Sequence, residues 1–499
     1  MARYSFERLS AQDYQFFAYE RDNTPMHASS TLVFKAGSLA LPGGGIDFDR
    51  IKQGFAKVLH LIPPCRQKID WTPFEGFPVW VDDERFNLDY HIRHSSLPHP
   101  GSDEQLKRLS GRIMAQPLDP SRPLWELWIV EGLEAGRFAI ISKTHHSMID
   151  GSSGADLVQA ILSTDPEHEP EEARPFTPRP RPSRRELLLD ALRYRFSQPL
   201  RILDGIQALR RESEDLRTEA KVRWQALVSF LGASAQRAQQ TPINGELGPH
   251  RIFDWLTMPL ADLKALHRAL DCTVNDVVLT ILTGAIREFF LQRHVRPEKI
   301  RFRASAPVSV RSDEDRVELG EQVTGWVAEL PIGLEDPLRQ LARIRRATGE
   351  LAEAEEALGV EMMAALKQLT PGILSVAMRA TSGPHNTLIT NVPGPQFPLY
   401  LLGAELERIY IQAPLLPNQG LATAIMSYNG SVCWGFVSDP DLLPDLSVFV
   451  ERVAQSFQRL ADVAGVTLSE SSQQVLELLS RSARPSNGRS VGPSVGEGS

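Results

Sequence analysis

Short apolar runs and one helically periodic segment predict a mixed α/β unit at the start of the chain. "SSTLVFKAG" (29–37), "LWELWIVEGL" (124–133) and "RFAIISKTHH" (137–146) are apolar runs of strand length, and the last two flank a glycine-containing turn. "DFDRIKQGFAKVLHLIP" (47–63) instead repeats apolar residues at the spacing of an amphipathic helix. We therefore predict one α/β domain over residues 1–164.

A proline-rich, highly charged segment follows this unit. Residues 163–186 contain too many prolines to join a core, which predicts a linker. The next stretch is helically periodic and rich in arginine, with an interruption at Pro199. We predict a Pro/Arg-rich linker with interdomain helices over residues 165–250. Its arginines are either solvated on helices packed against the protein, which we favour, or form a basic surface for anionic lipid headgroups.

The pattern of strands and helices resumes after the linker. "FRASAPVSV", "GWVAELPI" and "SVCWGFVSD" are predicted strands, while "NDVVLTILTGAIREFFLQR" and "DLSVFVERVAQSFQRLADV" are predicted helices. We assign residues 251–480 to a second α/β domain and residues 481–499, rich in Gly, Ser, Pro and Arg, to a disordered tail.

Composition and charge exclude several classes of protein. Hydrophobic residues make up 42% and charged residues 23% of 499, which is typical of a soluble globular protein. A net charge of −8 argues against nucleic acid as a partner. The widely separated Cys65, Cys272 and Cys433 indicate neither a disulfide framework nor a zinc module and fit a reducing cytoplasm. No signal peptide or membrane-spanning segment is predicted.

The segment "KTHHSMIDG" (143–151) carries the strongest chemical signal, two histidines at a predicted strand-to-helix turn. Neighbouring residues of a strand point to opposite sides, so one imidazole can face a cleft and the other the core. Since histidine titrates near neutrality, the ring in the cleft can take a proton from a hydroxyl. Asp150 is positioned to orient the ring or anchor the turn, and Gly151 supplies permissive backbone angles.

Other chemistries fit the same segment less well. Zinc needs further ligands, and no local His, Cys or HExxH spacing supplies them. A Ser-His-Asp hydrolase needs a nucleophile elbow such as GxSxG, which the chain lacks, and Ser147 lies too close in sequence to His146 to serve as its nucleophile. Alternatively, the two histidines have only a structural role, with their ring nitrogens hydrogen-bonded within the turn.

Several further motifs accompany the histidine pair, in the order "LSAQDYQFF", "PMHASSTLVF", "LDPSRPLWELWIVEGL", "NDVVLTILTGAIREFF", "SAPVSVR", "NVPGP" and "SYNGSVCWGFVSD". With the HHxxxDG motif they resemble the bacterial wax ester synthase/acyl-CoA:diacylglycerol acyltransferase family, of the chloramphenicol-acetyltransferase-like superfamily. The resemblance runs from Leu9 to about Val466. Its one clear departure is Gly320-Glu321, where family members commonly carry Gly-Asn.

The resemblance implies two chloramphenicol-acetyltransferase-like α/β domains joined by a helical linker, with the active site at their interface. It also implies acyl transfer from acyl-CoA to diacylglycerol or a long-chain alcohol, giving triacylglycerol or wax ester. Acyl-CoA is then a substrate, and no cofactor or metal is expected. We expect a cytoplasmic protein with peripheral contact to the inner membrane or lipid droplets.

The resemblance also implies roles for individual residues. His146 is the general base and no acyl-enzyme forms, while His145 assists it or supports the turn. Asp150 holds the motif loop through an arginine. The oxyanion is bound by Asn275, which precedes Asp276 in the family's Asn-Asp motif, or by backbone N–H groups near Gly151. A second group of residues either shapes the acyl tunnel or packs in the core: Pro123, Leu124 and Trp125. The turn from Asn391 to Pro395 is expected to order a loop at the mouth of the site.

Two alternative functions share these features. A condensation-type acyltransferase would use the same His146 and Asp150 with a donor bound to a carrier protein, although the chain has no adjoining carrier region. A noncatalytic lipid-droplet surface protein would keep the fold without the reaction, but it has no need for the intact "HHSMIDG".

Overall fold

The structure is a computed structural model and describes residues 6–74, 76–148, 157–172, 175–193, 238–307, 325–351 and 385–482. Within these ranges the chain forms two six-stranded sheets and one three-stranded sheet, with helices packed against them. The predicted mixed α/β fold is confirmed. Of the predicted disordered tail over residues 481–499, the first two residues are instead the end of a helix, and residues 483–499 lie outside the described residues.

The first large sheet contains the strand that ends at the histidine pair. In spatial order it consists of β12 (Tyr400–Leu401), β13 (Ala404–Gln412), β2 (His27–Lys35), β7 (Arg137–His145), β6 (Trp125–Leu133) and β5 (Ile92–Ser96). All neighbours are antiparallel except β5 and β6. The predicted strands β2, β6 and β7 are confirmed. Two strands of the predicted second domain, β12 and β13, complete this sheet, so the sheet is not built from residues 1–164 alone.

The second large sheet belongs to the later part of the chain. In spatial order it consists of β10 (Gly325–Leu330), β9 (Phe302–Pro307), β11 (Thr387–Pro393), β14 (Leu421–Tyr428), β15 (Ser431–Ser438) and β8 (Ile252–Pro259). Strand β11 is parallel to both of its neighbours, and the other pairs are antiparallel. The predicted strands β9, β10 and β15 are confirmed.

The small sheet lies beside the first large one and receives the predicted linker. It contains β1 (Phe6–Arg8), β4 (Pro78–Asp82) and β3 (Gln67–Trp71), all antiparallel. Apart from one isolated bridge, residues 163–172 and 175–183 form no helix or strand. Instead Arg179 forms an ion pair with Asp82 at 2.7 Å, and Arg181 with Asp70 at 2.9 Å. This part of the linker is therefore fixed along the small sheet by charge.

Helices cover the sheets, and several begin at side-chain caps. Ser10 and Asp47 accept hydrogen bonds from backbone N–H groups of the first turns that follow them, which satisfies donors left open at a helix start. Residues 184–193 and 337–351 are also helical, while the predicted helices from residue 194 to 237 lie outside the described residues. The remaining helices are α1 (Ala11–Tyr19), α2 (Phe48–Val58), α3 (Leu88–His91), α4 (Asp103–Ala115), α5 (Leu157–Ile161), α6 (Leu260–Ala269), α7 (Val274–Gln292), α8 (Leu446–Ala464) and α9 (Glu470–Ser482).

The two large sheets approach closely at a shared hydrophobic cluster. Trp255 of β8 stacks on Tyr410 of β13 with ring centroids 4.5 Å apart. Gly435 of β15 allows this approach, because a Cβ atom there would lie 2.0 Å from the Ile411 carbonyl oxygen. Any side chain at Gly435 would therefore push the sheets apart.

No single helix in the described ranges is both long and apolar enough to cross a bilayer. Only the consecutive helices α6 and α7 taken together have that length and composition, and a 97° bend separates them. Because α7 is largely buried against other helices, its apolar composition is accounted for by the core.

Candidate active site

Two backbone hydrogen bonds hold the histidine pair where β7 ends. His145 is the last residue of β7, and His146 begins a 3-10 turn that ends at Met148. The His145 N–H donates to the Leu124 carbonyl and the His146 N–H donates to the Met26 carbonyl, both at 2.9 Å. The pair is thus anchored to the residues just before β6 and β2.

The His145 ring is buried and its Nδ1 atom acts as an acceptor. The Ser147 N–H donates to Nδ1 at 3.2 Å, and the Ser147 hydroxyl lies 2.7 Å from the same atom. Phe17 of α1 covers the ring face, with centroids 4.4 Å apart. These contacts give His145 one fixed orientation within the core.

The His146 ring is less buried than its neighbour and lies against Phe16 of α1. The two rings stack with centroids 4.1 Å apart, and the His146 Nδ1 atom is buried. One histidine in the core and one partly exposed is the arrangement expected for adjacent residues at a strand end. The general-base role of His146 stays a prediction.

A third histidine, His27, adjoins the pair. It lies opposite His145 in the register of β2 and β7, and their ring centroids are 6.1 Å apart. Burial holds the pKa of His27 well below its usual range, and the nearby Lys143 ammonium lowers that pKa further. His27 is therefore neutral at physiological pH. Glu20, just after α1, lies near both His27 and His145.

Sequence reasoning missed His27 and Glu20 as site residues. His27 stands in "PMHASSTLVF", one of the motifs that carry the family resemblance, and Glu20 lies three residues beyond the end of "LSAQDYQFF". A polar residue at an inward-facing strand position is a signal that could have identified His27. Glu20 carried no such signal, since an acidic residue after a helix is usually solvated.

The Pro-Leu-Trp segment lies directly beside the histidines. Leu124 accepts the His145 backbone bond, and the Pro123 carbonyl accepts from the Trp125 N–H at 2.9 Å. Trp125 is fully buried, and its indole N–H donates to the Cys65 carbonyl at 2.8 Å. The segment therefore packs in the core and fixes the strand end, while its predicted contact with an acyl chain stays a prediction.

Asn275 and Asp276 lie in the first turn of α7. Asp276 forms a capping box with Thr273, each side chain accepting the other's backbone N–H at 3.0 Å. It also accepts from the Thr348 hydroxyl at 2.9 Å. These contacts give Asp276 a structural role at the helix start. Asn275 is half-buried, and its predicted oxyanion contact stays a prediction.

Several predicted positions lie outside the described residues: Asp150, Gly151 and Gly320-Glu321. The predicted turn from Asn391 to Pro395 is wrong over its first three residues, because Asn391–Pro393 are the end of β11 and pair with β14. The Gly394 N–H that follows donates to the Ser427 hydroxyl at 3.2 Å. Across the described ranges no group of three or more His, Cys, Asp or Glu side chains is arranged to hold a metal ion.

Sequence comparisons match the chain to one protein family. A model of the wax ester synthase/diacylglycerol acyltransferase catalytic domain matches residues 9–278, and a model of the C-terminal domain of that family matches residues 319–461. A putative diacylglycerol O-acyltransferase of Mycobacterium tuberculosis H37Rv is 31% identical over 92% of this chain and 91% of its own. The probable diacylglycerol O-acyltransferase tgs1 of the same strain is 28% identical over 86% of this chain and 91% of its own.

Solved structures share the fold. The wax ester synthase/diacylglycerol acyltransferase of Marinobacter aquaeolei VT8 superposes with a TM-score of 0.65 at 24% identity, covering 92% of this chain and 100% of its own. The first condensation domain of the calcium-dependent antibiotic synthetase superposes with a TM-score of 0.55 at 16% identity, covering 93% and 99%. The predicted two-sheet architecture, similar to chloramphenicol acetyltransferase, is thereby confirmed.

Proposed function

The chain belongs to the wax ester synthase/diacylglycerol acyltransferase family, and from that membership we propose which reaction it performs and how. It moves a long-chain acyl group from acyl-CoA to diacylglycerol or to a long-chain alcohol. His146 is the general base, and the acyl group passes directly to the acceptor without an acyl-enzyme. The predicted acyltransferase class itself is confirmed by the family.

The placement of His146 is the observation that supports its proposed role. Its backbone is bonded to Met26 and its ring is stacked on Phe16, so the imidazole is held before any substrate binds. The ring remains partly exposed, whereas His145 is buried. We assign proton transfer to His146 Nε2, because Nδ1 is buried. A preorganised base of this kind lowers the barrier by fixing its distance to the hydroxyl.

The proposed reaction has two steps. The acceptor oxygen attacks the thioester carbonyl carbon while His146 takes the hydroxyl proton, which forms the C–O bond and a tetrahedral oxyanion. The C–S bond then breaks, and the departing CoA thiolate receives the proton from the His146 imidazolium. The products are an ester and CoA, and the imidazole returns to its neutral form. Asn275 or a backbone N–H near Gly151 remains our proposal for the oxyanion donor.

The two alternative functions receive less support. The relatives that match most of the chain are named for diacylglycerol acyl transfer. The likeness to a condensation domain is a likeness of fold. Neither a carrier-bound donor nor a droplet coat explains a rigidly held, partly exposed imidazole better than direct acyl transfer does.

Purified protein incubated with palmitoyl-CoA tests the proposal, with dioleoylglycerol or hexadecanol as acceptor. We expect CoA thiol release that depends on the acceptor, with triacylglycerol or wax ester identified by chromatography. The ratio of the two products ranks the acceptors. A folded protein that releases no CoA with either acceptor would overturn the proposed reaction.

We further propose that the protein meets its lipid acceptor at a lipid surface, through the hairpin between β3 and β4. Phe74 at its tip is 95% exposed and has a positive φ of 66°, a conformation that costs a bulky residue free energy. Trp71 is 48% exposed. Its ring meets Phe17 edge-on at 6.0 Å, and Phe17 stacks on His145. Exposed aromatic rings favour the boundary between headgroups and acyl chains, and Phe17 connects Trp71 to the His145 ring.

Phe74→Ser is expected to weaken binding to phosphatidylcholine vesicles that contain dioleoylglycerol. Losing one aromatic ring from the lipid contact lowers the partition coefficient by about tenfold, measured by co-sedimentation. Leu478→Ser is the control. Leu478 is also an exposed apolar residue, at 65%, but it lies on α9, which packs against α8 and β8 and not against the hairpin. Equal vesicle binding by wild type and Phe74→Ser would contradict a role for the hairpin.

A further inference from the structure

The Glu20 carboxylate lies between two buried histidines. Its Oε1 atom is 3.8 Å from His27 Nε2, and its Oε2 atom is 3.7 Å from His145 Nε2. The side chain is 32% exposed, whereas both imidazoles are almost completely buried. At these distances the contacts are electrostatic rather than hydrogen bonds. A single carboxylate therefore lies close to both rings at once.

Glu20 is also connected to the proposed base through the backbone. The Met26 N–H donates to Glu20 Oε1 at 3.3 Å, and the Met26 carbonyl accepts from the His146 N–H at 2.9 Å. Met26 thus lies between the carboxylate and the backbone of His146. Moving Glu20 would disturb His145 through its ring and His146 through its main chain.

Hydrogen-bond donors around the two rings determine which nitrogens carry protons. The Ser147 N–H donates to His145 Nδ1, so the proton of the neutral His145 ring is on Nε2, directed toward Glu20. The Leu118 N–H donates to His27 Nε2 at 3.4 Å, which leaves the His27 proton on Nδ1. Of the two histidines, only His145 therefore presents an N–H to Glu20.

We propose that Glu20 is a positioning residue for the reaction proposed above, on which this inference rests. Its carboxylate acts together with the Ser147 N–H to favour the Nε2-protonated form of His145, and it holds the turn that carries His146. Its negative charge also favours the positive charge that develops on His146 as the base takes a proton. Because Glu20 acts through His145 and Met26, its loss should lower kcat and leave KM for acyl-CoA nearly unchanged.

Glu20→Gln is the principal test, because the amide keeps an acceptor for the Met26 N–H and removes the charge. We expect kcat to fall about 10²-fold, as a loss of catalytic alignment does, because the missing charge no longer favours one protonated form of His145, and we expect KM to stay within a factor of about two. Glu131→Gln is the matched control. Glu131 also accepts a backbone N–H, from Ile46 at 3.2 Å, and lies 3.4 Å from the ring of His94, away from the histidine pair. It should keep the wild-type kcat.

A second measurement does not depend on activity. Nitrogen-15 NMR of histidine-labelled wild type, with His145 assigned through a His145→Gln sample, should show a proton on Nε2 near neutral pH. The same spectrum of Glu20→Gln should show a mixture of the two neutral forms. A proton on His145 Nδ1 in the wild type would overturn the inference, even if Glu20→Gln failed to fold.

The outcomes separate this inference from the proposed function. An active wild type with an equally active Glu20→Gln overturns the role of Glu20 and leaves the reaction standing. An inactive wild type with the expected NMR spectra overturns the reaction and leaves Glu20 as the residue that fixes His145. A kcat loss in Glu20→Gln, with Glu131→Gln unaffected and the expected spectra, supports both.

Discussion

His146→Ala is expected to reduce kcat for acyl transfer by about 10²–10⁴-fold, the contribution of a positioned general base. The acceptor hydroxyl would then have to lose its proton without help, while the rest of the site still binds both substrates. KM for acyl-CoA should therefore change little. CoA thiol release from palmitoyl-CoA, with dioleoylglycerol as acceptor, measures the effect.

His94→Ala is the matched control for this experiment. His94 is also a partly exposed histidine stacked on a phenylalanine, Phe48, with ring centroids 4.5 Å apart. It lies on β5, away from the histidine pair, so its loss should leave kcat unchanged. A folded His146→Ala protein with wild-type kcat would rule out His146 as the base.

Lys143→Met is expected to destabilise the fold by about 3–5 kcal/mol, the usual cost of breaking a buried ion pair. Lys143 is fully buried on β7, with its ammonium 3.3 Å from Glu126. It also donates to the carbonyls of Ile113 and Gln116, at 3.2 and 3.0 Å. Methionine fills much of the volume but supplies no donor, so these acceptors are left buried. Urea unfolding measures the loss.

A double-mutant cycle and a surface control test whether the loss of stability in Lys143→Met comes from the buried pair with Glu126. Adding Glu126→Gln to Lys143→Met should cost less than the sum of the single changes, because the pair is then removed together. Lys35→Met removes an exposed partner of Glu405, at 2.8 Å, and should leave the unfolding midpoint unchanged. A Lys143→Met protein as stable as the wild type would show that the buried pair contributes nothing.

The Lys143 network also links stability to the site. Lys143 precedes the histidine pair by two residues on the same strand, and its carbonyl partners belong to the end of α4. His27 accepts from the Leu118 N–H just beyond that helix. Damage at Lys143 should therefore reach the site through both β7 and His27.

Strands and helices of this fold were predictable because their burial leaves a local pattern. Residues 124–133 were recognisable as a strand from their apolar run, and residues 275–293 as a helix from their helical periodicity. The pairing of β13 was not predictable, because alternation over Ala404–Gln412 fits either large sheet equally well. The sheet edge that a strand joins depends on tertiary contacts, and the sequence of the strand alone does not determine it.

In the candidate site, too, local motifs were predictable from the sequence and tertiary contacts were not. The histidine pair stood out because two adjacent imidazoles precede Asp-Gly in a recognisable motif. The hydrogen bond from the His145 N–H to the Leu124 carbonyl could not be predicted from the sequence, because every residue has a backbone carbonyl that can accept. Glu20 was missed because its contacts with His27 and His145 form only when β2 and β7 pair beside α1.

The position of β13 also bears on how the chain is made. During synthesis β2 and β7 leave the ribosome early and can pair, but the other edge of β2 stays open until Ala404–Gln412 has been translated. An open strand edge is a site for pairing with another chain, and contacts this distant in sequence form late. The nascent first half therefore keeps an unpaired strand edge until a strand much later in the chain has been made.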